Sequence, residues 1–300
     1  MRHSRSQQVN EALESVDAVR SVQRWTDLAD DPNDPTAVLQ RAETLRAAWR
    51  PPISDRIEFL EARCTGQKVL DIGCVAHDVA RMSSPDWLHA RLVAVAARCV
   101  GVDVLTDGVE AMRRLGFEAL AHDLGAGLGP LAELAPFDVI VAGELIEHVE
   151  SIDMLFAVAA AALAPGGQLI ITSPNPYAPH RVRAAQLGIV WENVDHILYA
   201  FPSGVAELAE RHGLVLTEAT VTEDKRPTGA TRQMKNAVRR LRGAQWMTVG
   251  FSSVGGRRAR RVSWGRVARV WHGMWWPKRR FLGETFVYVV SRPPRSEGTA

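Results

Sequence analysis

The sequence predicts a doubly wound α/β fold on a mostly parallel sheet, and three observations carry that expectation. The run Val69-Leu70-Asp71-Ile72-Gly73-Cys74 takes apolar, partly β-branched residues into an Asp-x-Gly turn, as a buried parallel strand does when it delivers its carboxyl end to a ligand crevice. Four more apolar runs follow in βα order. Two further runs, Leu214-Val215-Leu216 and Thr285 to Val290, read as a hairpin-like terminal pair rather than another βα unit.

Composition bounds the reading. The 300 residues are 46% hydrophobic and 23% charged, as expected for a soluble chain with one main domain and additions. Met1 to Asn10 is polar and basic, unlike a secretory signal, and the longest apolar stretch, Leu155 to Ala164, is too short to span a bilayer. Cys64, Cys74 and Cys99 make neither a Cys-x-x-Cys pair nor a disulfide framework. The expected location is cytoplasmic, or peripheral at the inner face of the membrane.

Before the first strand, Gln7 to Ala29 has a modest helical pattern, broken by Asp30-Asp31-Pro32-Asn33-Asp34-Pro35. Helices are expected over Thr36 to Trp49, ended by Pro51-Pro52, and over Ser54 to Ala62 with Ser54 as cap. The loop Val75-Ala76-His77-Asp78 leads to Pro85, which suits the first turn of a helix through Trp87, Leu88, Leu92 and Val95. Cys99 to Val104 is the second strand, Asp107 to Leu115 a helix, and Phe117 to Ala121 the third strand, with Asp123 just past its end. Phe137 to Ala142 is the fourth. Pro165-Gly166-Gly167 is expected to turn into a fifth strand, Gln168 to Thr172, and a helix fits Ser203 to His212.

Several pieces together resemble the class I S-adenosylmethionine-dependent methyltransferases, most of all the branch with ubiquinone-type O-methyltransferases and enzymes of envelope polysaccharide pathways. These are Asp71-Ile72-Gly73, Asp103, His122-Asp123-Leu124, Phe137-Asp138-Val139-Ile140, Glu147-His148-Val149 and Leu163-Ala164-Pro165-Gly166-Gly167. The resemblance implies a seven-stranded Rossmann-like sheet, S-adenosylmethionine as cofactor, and cofactor contacts from Asp71, Gly73, Cys74, Asp103, Val104, Asp123, Leu124 and Gly143. It departs in the first loop, where the family usually has Gly-x-Gly and this chain has Gly73-Cys74-Val75. A dinucleotide site would need Gly-x-Gly-x-x-Gly there, which is absent.

The residues support the same chemistry. A carboxylate at the tip of the second strand, Asp103, can accept both ribose hydroxyls, and Asp123 at the third can accept from the adenine amine. Gly73 would let the backbone approach the cofactor where a Cβ would intrude. Each acid could instead cap the helix that follows it.

Glu144, Glu147 and His148 share a face if their turn is helical. Three readings stay open. His148 serves as general base for a hydroxyl; Glu144, Glu147, His148 and His196 hold a divalent metal, which resembles the site of small-RNA 2′-O-methyltransferases; or Glu147-His148-Val149 has a local structural role. Asn175-Pro176-Tyr177 reads as a loop beside the acceptor pocket.

Between Lys225 and Arg280 lie 16 of the chain's 36 Lys and Arg, none of its 34 Asp and Glu, and five of its nine Trp. Trp264, Val267, Trp271, Met274 and Trp275 share one helical face, which suits an anionic membrane interface; nucleic acid, or a solvated lid over the acceptor pocket, would use the same composition. The expected organisation is a helical extension (1–52), a methyltransferase core (53–222), a basic insertion (223–282) and a final core strand with tail (283–300). The expected activity is O-methylation of a small or carrier-linked acceptor such as a sugar, quinone-like or envelope precursor. The alternatives are a metal-assisted RNA 2′-O-methyltransferase and a non-catalytic binder that keeps the fold.

Overall fold

Strand β1 (Lys68–Ile72) lies inside the sheet and is buried from its second residue onward. The computed structural model describes residues 24–75, 79–189, 192–223 and 283–294. The expected helix over 7–29 lies largely outside them; Ala76, His77, Asp78 and the basic stretch 225–280 lie wholly outside them.

Two helices precede β1. α1 (Pro35–Ala48) starts at Asp34, whose carboxylate accepts the Thr36 amide at 2.7 Å. α2 (Arg56–Cys64) is capped by Asp55 rather than by Ser54. The Asp55 carboxylate accepts the amides of Ile57 (2.8 Å) and Glu58 (3.2 Å), using two of the donors a helix start leaves open.

After β1 the chain alternates through α3 (Leu88–Val95), β2 (Arg98–Asp103), α4 (Thr106–Arg114), β3 (Ala119–Ala121) and β4 (Phe137–Gly143). Pro85 precedes α3 instead of lying in its first turn, and β3 starts at Ala119, not Phe117. Then come α5 (Ile152–Ala162), β5 (Leu163–Pro174), α6 (Pro179–Gln186), α7 (Pro202–Arg211), β6 (Val215–Val221) and β7 (Thr285–Ser291). The seven strands among the described residues are ordered β3-β2-β1-β4-β5-β7-β6, and β7 is the one that runs against the direction of the others. This is the doubly wound, mostly parallel sheet the sequence implies.

Alternation along the strands divides the core. Leu70, Ile72, Val100, Val102, Ile140 and Ala142 pack beneath α5 and α7, while Val69, Val139, Val141 and Ile170 meet Leu60 of α2 and Leu92 of α3. Burying such a side chain is worth about 1.5–3 kcal/mol, so both faces contribute to holding β1 and β4. Winding reverses between these two strands, and their carboxyl ends open a crevice there.

The outer edge of β6 is covered by the segment between α1 and α2. Arg50 and Ile53 donate their amides to the carbonyls of Ala219 and Val221, both at 2.9 Å, and the Thr220 hydroxyl donates to the Pro51 carbonyl at 2.7 Å. Among the described residues no helix is long and apolar enough to cross a membrane.

Pro165-Gly166-Gly167 is part of β5, not a turn before it. Phe137 pairs with Leu163 but Val139 with Gln168, so the register jumps across this tripeptide. Gly166 sits at φ +79°, and an added Cβ on Gly167 would lie 2.9 Å from the Ala164 carbonyl oxygen and 3.0 Å from that of Asp138. Gly167→Ala is therefore expected to lose about 1–3 kcal/mol in denaturant unfolding, since backbone must move to admit the methyl.

Candidate active site

The crevice at the reversal point has a volume of about 490 Å³. Asp71, Gly73, Cys74, Asp103, Val104, Asp123, Leu124, Gly143, Glu144 and His148 all line it, so the strand tips named from sequence do converge.

Their roles differ in detail. Asp71 is only 2% exposed, and its Oδ2 lies 2.9 Å from Nδ1 of His89, a fully buried residue of α3. Its carboxylate thus braces β1 against α3. Gly73 has φ +75° and donates its amide to the Val102 carbonyl at 2.9 Å. The space where its Cβ would point is taken by Leu145, 2.8 Å away, so both the turn and Leu145 require glycine here. Cys74 is buried, and burial pushes its thiol far above the ordinary range, leaving it un-ionised.

Asp103 is fixed from two sides. Its Oδ2 accepts the Val75 amide at 2.9 Å and its Oδ1 the Leu105 amide at 3.0 Å. Each oxygen keeps acceptor capacity for a further donor. Asp123 is exposed at the rim; its Oδ1 accepts the Gly125 amide at 2.8 Å, so it does cap the turn Leu124–Ala126. Leu124 is buried, Val104 is exposed, and Gly143 faces Leu88, 2.7 Å from where a Cβ would be.

The segment Glu144 to His148 is an irregular turn, not a helix, so the expected common face does not form. Glu144 has φ +53°, a strained conformation for a residue with a Cβ, while its amide donates to the Thr172 carbonyl at 3.0 Å. Its Oε1 lies 3.9 Å from Nη1 of Arg56. Glu147 points into the protein and is fully buried; Ser173 donates to its Oε2 at 3.2 Å, and its Oε1 has no hydrogen-bond partner. Burial, with the charge of Glu144 adding to it, pushes this carboxyl up to about 8.

His148 Nδ1 lies 3.1 Å from Oδ2 of Asp195, and its ring meets His196 edge-on with centroids 4.7 Å apart. His196 Nδ1 is 3.3 Å from Glu192 Oε1 but outside hydrogen-bond geometry. Burial favours the neutral form of Glu192, yet hydrogen bonds from Arg181 and the Tyr199 hydroxyl outweigh it and hold the carboxyl at about 2. Glu147, His148 and His196 offer ligand atoms within 4.8 Å of one another; Glu144 is not part of this group. One carboxylate and two imidazoles, with an orphaned buried oxygen among them, suit a borderline divalent ion, and Asp195 and Glu192 behind the imidazoles suit its supporting shell.

Sequence reasoning missed Arg56, His89 and Trp87. Arg56, the first residue of α2, reaches the crevice and donates to the Thr172 hydroxyl at 3.1 Å. Trp87 donates its indole N–H to the Cys74 carbonyl at 3.1 Å. None belongs to a motif; only the Asp55 cap, by placing the start of α2, could have pointed to Arg56.

Residues 41–219 match the family model described as a methyltransferase domain. The chain belongs to this methyltransferase family. Over 176 residues it is 27% identical to a ubiquinone biosynthesis O-methyltransferase of Idiomarina loihiensis, covering 56% of this chain and 68% of that protein. It is 30% identical over 186 residues to a probable S-adenosylmethionine-dependent methyltransferase of Mycolicibacterium smegmatis, covering 54% and 66%. Among solved structures, a putative methyltransferase of Bacillus halodurans aligns over 79% of this chain and 97% of its own, at 13% identity and a TM-score of 0.45. The methyltransferase is thus an S-adenosylmethionine-dependent enzyme.

The Glu147 carboxyl leads to a pH prediction. Unfolded, it titrates near its ordinary 4.5, so between about pH 5 and 8 the native state holds a proton that the unfolded chain has lost, and stability falls as pH rises. Glu147→Gln cannot ionise. In chelator-containing buffer its melting temperature is expected to vary less with pH and to exceed that of wild type by pH 8.

Proposed function

We propose that the enzyme methylates an oxygen of a small or carrier-linked acceptor, with Asp103 holding the ribose diol of S-adenosylmethionine. The observation that carries the cofactor half is the Asp103 carboxylate, oriented by two backbone amides at the crevice wall. Bound there, the cofactor supplies a methyl group already activated on a sulfonium. The chain's own contribution is positioning and proton removal. Asp123 stands at the rim to accept the adenine amine, and the Arg56 guanidinium is placed for the carboxylate of the amino-acid tail. Asp71, Gly73, Cys74, Val104, Leu124 and Gly143 shape the wall between these polar contacts.

On the acceptor side, His148 takes the hydroxyl proton. Asp195, with its Oδ2 3.1 Å from Nδ1, favours a proton on that nitrogen, which would leave Nε2 as the basic one, and favours the imidazolium once formed. Two features support an oxygen acceptor with an apolar portion: the O-methyltransferase names among the relatives, and the exposed apolar side chain of Ile197 beside the turn Glu144 to His148. Ile197 is tied to that turn through its amide, which donates to the Glu147 carbonyl at 2.8 Å.

The convergence of Glu147, His148 and His196 favours a second reading, in which these three hold a divalent ion. The two readings separate on chelation. A base predicts turnover indifferent to chelator, with His148→Ala slowing it by about 100-fold or more and removing the low-pH limb of the rate profile. Loss of activity on chelation, restored by a divalent ion bound in equal amount, decides for the metal. Asp103→Ala is expected to weaken S-adenosylmethionine binding by about 2–4 kcal/mol in calorimetric titration; unchanged affinity in a folded variant removes Asp103 from the site.

A further inference from the structure

The first loop carries Val75 where the family usually has the second glycine of Gly-x-Gly, and glycines face Cys74 and Val75 from the neighbouring elements. Cys74 is 4% exposed, with Sγ 3.6 Å from Met112 Sδ. Opposite it, a Cβ on Gly101 of β2 would fall 2.6 Å from Cys74 Sγ and 3.1 Å from its Cβ. Val75 turns towards α4, where a Cβ on Gly108 would fall 2.4 Å from Val75 Cγ1 and 3.0 Å from Cγ2. Neither Gly101 nor Gly108 lies in the left-handed region, so backbone conformation does not demand glycine at either position. Within a helix, Gly108 is disfavoured relative to alanine. What both positions require is space.

We infer that Gly101 and Gly108 are positioning residues for cofactor binding. They form two notches that receive the Cys74 and Val75 side chains, so that the Val75 amide stays on the Asp103 carboxylate and the crevice stays open. The Trp87 indole holds the third side of the loop through the Cys74 carbonyl. Filling either notch pushes the loop outward and frees Asp103 to turn. This inference rests on Asp103 as the ribose ligand.

The test uses the full chain, calorimetric titration with S-adenosylmethionine, and steady-state kinetics. Gly108→Ala is expected to raise Kd and cofactor KM by about tenfold while kcat at saturation stays within about twofold. Gly108→Ala combined with Val75→Ala, which removes both clashing methyl groups, is expected to return Kd to within about threefold of wild type. A helix that merely tolerates glycine would instead gain from Gly108→Ala, with a higher melting temperature and unchanged Kd, and that result overturns the inference, as does a double variant no better than the single one. Should Gly108→Ala fail to fold, Val75→Ala alone empties the notch: weaker cofactor binding with kcat kept supports the inference, and an unchanged Kd overturns it. Asp103→Ala, measured in parallel, separates the two levels. If it leaves affinity unchanged, the reading of the site has failed; if it weakens binding while Gly108→Ala does not, only the notches have.

Discussion

The hydrogen bond from the Val75 amide to the Asp103 carboxylate is the contact on which the crevice wall at the tips of β1 and β2 depends. It joins the loop after β1 to the tip of β2, two segments brought side by side by a parallel register that sets Asp71 opposite Gly101 and Ile72 opposite Val102. Gly73 extends that pairing by one further bond to Val102, and its positive φ then swings the chain towards Asp103. An amide held on a carboxylate forms a charge-assisted bond, stronger than one between neutral groups, so the loop and the acid orient each other. The buried Asp71–His89 pair lies just behind and ties the same strand to α3.

The turn after β4 is built differently, at a cost to folding. Glu144 has a strained backbone, and Glu147 is buried with one oxygen lacking a hydrogen-bond partner. Both features oppose folding, and they occur within four residues beside the crevice, where strain and orphaned polar atoms most often serve chemistry. The surroundings are organised to match: each imidazole stands before a carboxylate, and Glu192 is kept ionised by Arg181 and Tyr199.

The succession of elements along the chain and the strand tips were legible in the sequence because apolar periodicity and Asp-x-Gly turns are local signals. Asp103, Asp123 and Gly73 could be placed at a crevice from Val69 to Asp123 alone. What escaped were contacts across the fold. Leu145 fills the space over Gly73, and Glu144 turns to Arg56, 88 positions earlier in the chain, instead of joining Glu147 and His148. A helical face was expected for Glu144 to His148 from spacing, yet the positive φ at Glu144 rules it out. Pro165-Gly166-Gly167 looked like a turn because proline and glycine usually make one; here they bulge inside a strand that pairs on both sides.

The position of β7 has a consequence for how the chain is made. Among the described residues it is the last strand in sequence, yet it lies between β5 and β6, and β6 has no other strand partner there. During synthesis, β5 must therefore present a bare edge, and β6 must wait unpaired, until the residues after Gly283 are available. The segment Arg50 to Ile53 waits in turn, because it docks on β6. The segment Arg50 to Ile53 and strand β7 thus close the same side of the sheet and close late, so a chain lacking β7 exposes an apolar strand edge ready to pair with another molecule. The length of chain between β6 and β7 matters little to the final balance, since the entropy of closing a loop grows only with the logarithm of its length. By that measure a longer or shorter connection is tolerated, provided the strand that returns from it still fits between its two neighbours.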